Sequence, residues 1–248
     1  MGGSGPTVVV ATDPPNSLEH HAEQLARLSR HRRVLCLELP GFGGSTPPSG
    51  FDFSPASTAA LLIALLEREG PAVLSFSCVA GLAAVEAAGR RPDLVRGMVL
   101  AQVPSLSAAR AWAKRLDTQG LLRTPFLGQT LVRAARAPLA RSWYRAALPK
   151  GADAEPWIAR TLEAYREGAD YCLASALQSL GEATPLAPTS VPAVLLWGQA
   201  DRTHRSTDPE ALRESLPQLR VERLEGIGHF PDLEALDQFE RALDSICG

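Results

Sequence analysis

The strongest constraint on this chain is an alternation. Short strand-like runs at residues 7–11, 34–39, 72–76, 95–103, 191–197 and 220–224 alternate with helical segments at 18–30, 54–69, 79–89, 209–216 and 233–246. Thr7-Val-Val-Val-Ala11 is β-branched and reads as a buried strand. Within 18–30, Leu18, Ala22, Leu25, Ala26 and Leu28 fall near one helical face. Ser54 is placed to cap the second helix, with Pro55 at its first position and Gly70 past its end. A strand that returns through one helix to its neighbour runs parallel to it. Nearly continuous apolar strands imply a sheet covered on both faces. The alternation therefore predicts an α/β fold around a mostly parallel sheet of about six strands.

The pattern breaks at residues 105–187, which are Ala-rich and helical. Turns interrupt them at Gly120, Pro125, Pro138, Pro149-Lys-Gly151 and Pro185. This predicts a helical lid inserted between two parts of one core, residues 1–104 and 188–248. Residues 105–150 carry nine basic side chains (Arg110, Lys114, Arg115, Arg123, Arg133, Arg136, Arg141, Arg145 and Lys150) and one acid, Asp117. That segment is +8, while the other 16 basic and 26 acidic residues make the rest −10. Solvated helix faces explain such a cluster. The functional alternative is a surface for an anionic partner, such as a coenzyme A phosphate or an acidic acyl carrier protein.

Composition narrows the class. A chain of 248 residues with 45% hydrophobic content suits one globular domain, or a core with one large insertion. A net charge of −2 gives no reason to expect nucleic acid or a membrane surface as partner. No apolar run approaches the length of a membrane span, and no basic-then-apolar leader opens the chain. Neither a span nor a signal peptide is expected, and residues 1–5 read as flexible. Cys36, Cys78, Cys172 and Cys247 are too scattered for a disulfide framework and form no C-x-x-C pair. A cytoplasmic protein with reduced thiols is the expectation.

Three segments carry a resemblance. The first is Leu39-Pro-Gly-Phe-Gly-Gly-Ser45. The second is the strand, turn and helix from Val73 to Pro92, with Ser75-Phe-Ser-Cys-Val-Ala-Gly81 at the turn. The third is Leu195-Leu-Trp-Gly-Gln-Ala-Asp201, followed by Gly226-Ile-Gly-His-Phe230. Together they resemble the α/β-hydrolase superfamily over residues 7–104 and 188–248. They fall in the family order of nucleophile, acid and histidine. The resemblance implies an α/β-hydrolase fold that lacks the first two family strands, because only six residues precede Thr7. The strand holding Cys36 would then be an open edge. Arg32 and Arg33 beside it could discourage edge pairing, or the edge could serve a homodimer.

The turn departs from the family's G-x-S-x-G, and two registers fit. With Ser77 as nucleophile, the β-branched Val79 falls where the turn wants a small residue. With Cys78, that position is Ala80, although Phe76 then stands where the family prefers Gly. Pro92 lies 14 residues after Cys78 and 15 after Ser77, and the family spacing of about 14 favours Cys78. The resemblance then implies a Cys78, His229, Asp201 triad. In it, a thiolate–imidazolium pair is oriented by the carboxylate and helped by a helix N-terminus. The implied oxyanion donors are the N–H groups of Val79 and Asp13. The sequence Thr12-Asp13-Pro14-Pro15 is unorthodox there, because a carboxylate opposes a developing oxyanion. Asp13 must therefore turn away, be protonated, act as acid or base, or merely shape the turn.

Ser77, Phe76 and His204 are further candidates for substrate contact. Cys36, Cys172 and Cys247 read as packing residues. Trp112, Trp143, Tyr144, Trp157, Tyr165 and Tyr171 read mostly as lid core, with some walling a pocket. His20 and His21 open the first helix and do not suggest a metal site. No metal and no cofactor are expected. The expected substrate is a small acyl or ester compound, free or presented on coenzyme A or an acyl carrier protein, bound by a monomer or homodimer. Three functions stand open. The first is acyl transfer of thioesterase, esterase or cyclase type. The second is non-hydrolytic elimination or cyclisation in natural-product biosynthesis, for example with loss of acetate. The third is a catalytically inactive binding protein.

Overall fold

The computed structural model describes residues 5–247, so all but Gly5 of the segment read as flexible lies outside it. Six strands form one sheet: β1 (Thr7–Ala11), β2 (Arg33–Leu37), β3 (Ala72–Ser77), β4 (Val95–Ala101), β5 (Ala193–Gly198) and β6 (Arg220–Leu224). Their order is β2-β1-β3-β4-β5-β6 and every pairing is parallel. This is the six-stranded parallel α/β arrangement expected, and among the described residues Cys36 lies on an edge strand. The edge arginines do something more specific than discourage pairing. Arg32 is ion-paired to Asp244 and Arg33 to Glu69, which ties the start of β2 to a helix on each face of the sheet.

The pleat sends alternate residues to opposite layers. Val8 and Val10 of β1 pack with Leu28, Phe239 and Leu243, on helices α1 (Ala22–Leu28) and α10 (Leu236–Cys247). Val9 and Ala11 pack on the other face with Leu62, Leu66, Leu82 and Val85, on α2 (Pro55–Glu69) and α3 (Gly81–Arg90). Each fully buried Val or Leu contributes roughly 1.5–3 kcal/mol relative to exposure. The β1 run therefore stabilises both layers at once.

Local chemistry sets the ends. Ser54 accepts a hydrogen bond from the Ser57 N–H at 3.1 Å, and Gly70, at φ 91°, donates to the Leu66 carbonyl. Two helical segments are shorter than the periodicity suggests. The first begins as a 3-10 turn at Leu18–His21, where the Ser17 N–H donates to His20 Nδ1, and becomes α-helical only at Ala22. The last is split by Ala235 into α9 (Pro231–Glu234) and α10. The segment between Pro209 and Pro217 is a 3-10 helix, Pro209–Glu214, too short to repay α-helix nucleation.

Between β4 and β5 lie α4 (Leu106–Leu116), α5 (Leu127–Ala134), α6 (Arg136–Ala147), α7 (Glu155–Arg166) and α8 (Ala169–Glu182). Tyr144 of α6 fastens this layer to the core by donating to Asn16 Oδ1 at 2.6 Å, in the loop after β1. Part of the basic cluster is used internally. Arg133 and Arg136 face the buried Asp170, Arg123 holds Asp117, and Arg110 donates to the carbonyls of Leu180 and Ala183. No described helix is long and apolar enough to cross a membrane.

Candidate active site

β3 ends at Ser77, and Cys78 makes the turn with φ 47°. A non-glycine residue held there costs about 1–3 kcal/mol, which the surrounding packing must override. One short 3-10 turn, Cys78–Ala80, then leads into α3. A Cβ on Gly81 would meet Val103 Cγ2 at 2.3 Å, so the glycine lets the helix start close to the end of β4. Cys78 thus takes the nucleophile position of the turn, and its neighbours face elsewhere. Ser77 donates to Asp232 Oδ2 at 3.1 Å, and Phe76 is buried in the core beside α2 and α3. Neither lines the cavity described below, and the pleat sends the two side chains to opposite faces of the sheet.

Asp201 sits on the loop after β5 and is fully satisfied. Its Oδ2 accepts from His229 Nδ1 at 2.7 Å and Gln102 Nε2 at 2.9 Å. Its Oδ1 accepts from the N–H and hydroxyl of Thr203, at 2.8 and 2.7 Å. Burial opposes its charge, but the His229 ring and these donors override that and hold the carboxyl below the usual carboxylate range. Gln102, at φ 55° just past β4, also accepts from the Gly198 N–H at 2.8 Å. Gln102 and Thr203 escaped the sequence reading. The only local signal was a polar residue ending an apolar strand, and an Asp-x-Thr turn.

His229 is completely buried, and one of its ring nitrogens lies within 4.8 Å of Cys78 Sγ. Burial disfavours the imidazolium, yet Asp201, Cys78 and Asp13 together raise its pKa well above the ordinary histidine value. Asp13 is also buried, with Oδ2 3.5 Å from His229 Nε2. The Cys78 thiol is pushed up by burial and by the Asp13 carboxylate, against the pull of His229. This corrects the expectation of a thiol lowered by a helix N-terminus: a 3-10 turn intervenes, and desolvation is the larger effect.

His204 is closer to the centre than a loop histidine needs to be. Its Nε2 is 4.0 Å from Sγ, its Nδ1 is 3.2 Å from the Thr207 hydroxyl, and its ring stacks on Trp112 and His229. Burial and the neighbouring His229 lower its pKa to about 3. His20 packs against Trp157, and His21 bonds Gln24 at 2.8 Å. Neither joins the cluster of Cys78, His204 and His229.

A cavity of about 530 Å³ opens over Cys78 and Val79. Its walls are largely apolar and include Pro14, Phe42, Phe53, Trp112, Trp143, Tyr165 and Leu177. Tyr144 and Trp157 pack instead on Phe230, and Tyr171 is exposed, so the aromatics of the inserted helices divide between wall and filling. Cys172 packs beside Phe42, while Cys36 and Cys247 pack behind the sheet. Arg115, Arg202 and Arg205 also line the cavity, with no carboxylate within ion-pair distance among the described residues.

A strand-turn-helix nucleophile position, an acid after the fifth strand and a buried histidine beyond the sixth define a hydrolase-fold enzyme. Residues 8–242 match the alpha/beta hydrolase family, and the chain belongs to it. It is 28% identical to "Putative carbamate hydrolase RutD" of Pseudomonas savastanoi pv. phaseolicola, over 96% of this chain and 92% of that protein. A "Putative Acyltransferase" from Salmonella enterica has a similar structure, with a TM-score of 0.85 and 20% identity over 98% of this chain and 88% of that one. Epoxide hydrolase VrEH1 from Vigna radiata matches with a TM-score of 0.77 and 17% identity, over 99% and 92% of the two chains. At such identities the structural likeness speaks to the fold alone.

Proposed function

We propose that the protein is an acyl-transfer enzyme of thioesterase, esterase or cyclase type, in which Cys78 forms a thioester acyl-enzyme. The observation that carries this reading is Cys78 Sγ at the floor of an apolar cavity, beside a His229 ring oriented by Asp201 at 2.7 Å. Cys78 attacks the acyl carbon as a thiolate paired with the charged His229 ring, which then gives its proton to the leaving group. Val79 N–H, with Asp13 N–H, would receive the developing oxyanion. A thioester intermediate is relatively reactive to amines and carbon nucleophiles, so transfer or ring closure competes with hydrolysis. The cavity suits an apolar acyl chain. Arg115, Arg202 and Arg205 along it suit an anionic carrier portion, such as coenzyme A or the phosphopantetheine arm of an acyl carrier protein.

The test is intact-protein mass spectrometry after exposure to a panel of acyl thioesters. An adduct on wild type and on Ser77→Ala, absent from Cys78→Ala, is expected. An adduct that persists on Cys78→Ala would overturn the assignment.

A second reading is favoured by one contact, Asp13 Oδ2 at 3.5 Å from His229 Nε2. Two carboxylates around one imidazole suit proton transfer to and from a substrate carbon, as in elimination of a small acid or cyclisation in natural-product assembly. A product of unchanged mass, or one lowered by acetate, with no enzyme adduct, distinguishes it from acyl transfer. The inactive-scaffold reading is disfavoured by the closeness of Sγ to the His229 ring.

A further inference from the structure

Three side chains from separate loops turn soft or borderline donor atoms toward one point. Cys78 Sγ, a nitrogen of His204 and a nitrogen of His229 all lie within 4.8 Å of one another, and all three residues are buried. The two rings are fixed from outside. Nδ1 of His229 donates to Asp201, and Nδ1 of His204 meets the Thr207 hydroxyl, so each ring has Nε2 left to face inward. His229 Nε2 makes no hydrogen bond, and neither does Oδ1 of the adjacent Asp13. Unsatisfied buried polar atoms are costly, and His229 places one beside the sulfur.

We propose that Cys78, His204 and His229 form a binding site for one zinc-type divalent cation, with a fourth position open to water. The donor set is one thiolate and two imidazoles, which selects a thiophilic transition metal over magnesium or calcium. Metal–ligand lengths of about 2.0–2.3 Å put donors about 3.3–3.6 Å apart in a tetrahedral site. The 4.0 Å from Sγ to His204 Nε2 is already close to that separation. The outward bonds of both rings are those that orient metal-bound histidines. Binding exchanges the S–H bond for an S–metal bond and the Nε2–H bond of the charged His229 ring for an N–metal bond, and releases both protons to solvent. Because the same atoms are the acyl-transfer machinery, an occupied site silences the nucleophile. The cavity over Cys78 is the route of entry.

The test needs no substrate, so its result is separate from the acyl-transfer reading. Metal-free protein is titrated with Co²⁺ and followed by absorption. One Co²⁺ per chain, with a near-ultraviolet thiolate-to-cobalt band bleached by Zn²⁺, is expected. Cys78→Ser should lose the band, and His204→Ala should bind at least about tenfold more weakly. Zn²⁺ should also protect Cys78 of the wild type from iodoacetamide, read by peptide mass spectrometry, which avoids reliance on a variant that folds poorly. Absence of the band at stoichiometric Co²⁺, unchanged affinity in folded His204→Ala, or unprotected Cys78 would each overturn the proposal.

Discussion

Oδ2 of Asp13 lies 3.5 Å from Nε2 of His229, opposite the nitrogen that donates to Asp201. The imidazole therefore stands between two buried carboxylates, and the thiol of Cys78 competes with Asp13 for its charge. Burial and Asp13 together push the thiol up. Asp13→Asn removes one carboxylate and should move the pH profile of Cys78 alkylation to lower pH. Iodoacetamide labelling rates across a pH series, read at the Cys78 peptide, check this. A profile unmoved or moved upward would show that Asp13 does not act on the thiol.

Gln102 joins two parts of the site, donating to Asp201 and accepting from the Gly198 N–H. Gln102→Ala leaves that buried N–H unpaired and removes one donor from the carboxylate. A loss of about 1–3 kcal/mol is expected in urea unfolding. Gln102→Glu should be no rescue, since a carboxylate there would oppose Asp201. Wild-type stability in Gln102→Ala would count against the bridging role.

Gly81 abuts Val103, and an added Cβ would meet its Cγ2 at 2.3 Å. Gly81→Ala should therefore cost about 1–3 kcal/mol through overpacking. Combining it with Val103→Ala should relieve part of that cost. A double-mutant cycle by chemical denaturation should give a coupling energy of about 0.5 kcal/mol or more. Simple additivity would place the strain elsewhere.

Asp232 is buried and accepts from Ser77 at 3.1 Å. Burial raises its carboxyl above the ordinary value, with partial relief from the charge of His21 and the Ser77 hydroxyl. The folded state then holds this proton more tightly than the unfolded state. The group therefore stabilises the fold at low pH, and this contribution is lost as pH rises from the ordinary carboxyl range through the raised folded value. Asp232→Asn can still accept from Ser77 and should flatten stability against pH in that window. Urea midpoints at several pH values decide it; parallel curves for the two proteins would rule it out.

Much of the fold was legible because it rests on local patterns. The β-branched run at Thr7, the cap at Ser54 and the breakers around Gly70 act through near neighbours. Their ends were right to within a few residues. The shift at Leu18 came from Ser17 and His20 tightening the first turn. The break at Ala235 had no periodic signal. Cys78 over Ser77 was legible from the spacing to Pro92, and the turn at φ 47° falls on Cys78.

The sequence by itself determined the parallel sheet, its six strands, the inserted helices and the order of Cys78, Asp201 and His229. Each of these follows from periodicity or from motif spacing along the chain. Only the tertiary structure decided that His204 lies against the sulfur and Asp13 against His229, that Gln102 supports Asp201, and that Ser77 bonds Asp232 while Phe76 fills the core. Those contacts join residues tens to hundreds of positions apart. The burial that sets their charges exists only once the loops at the strand ends have packed together.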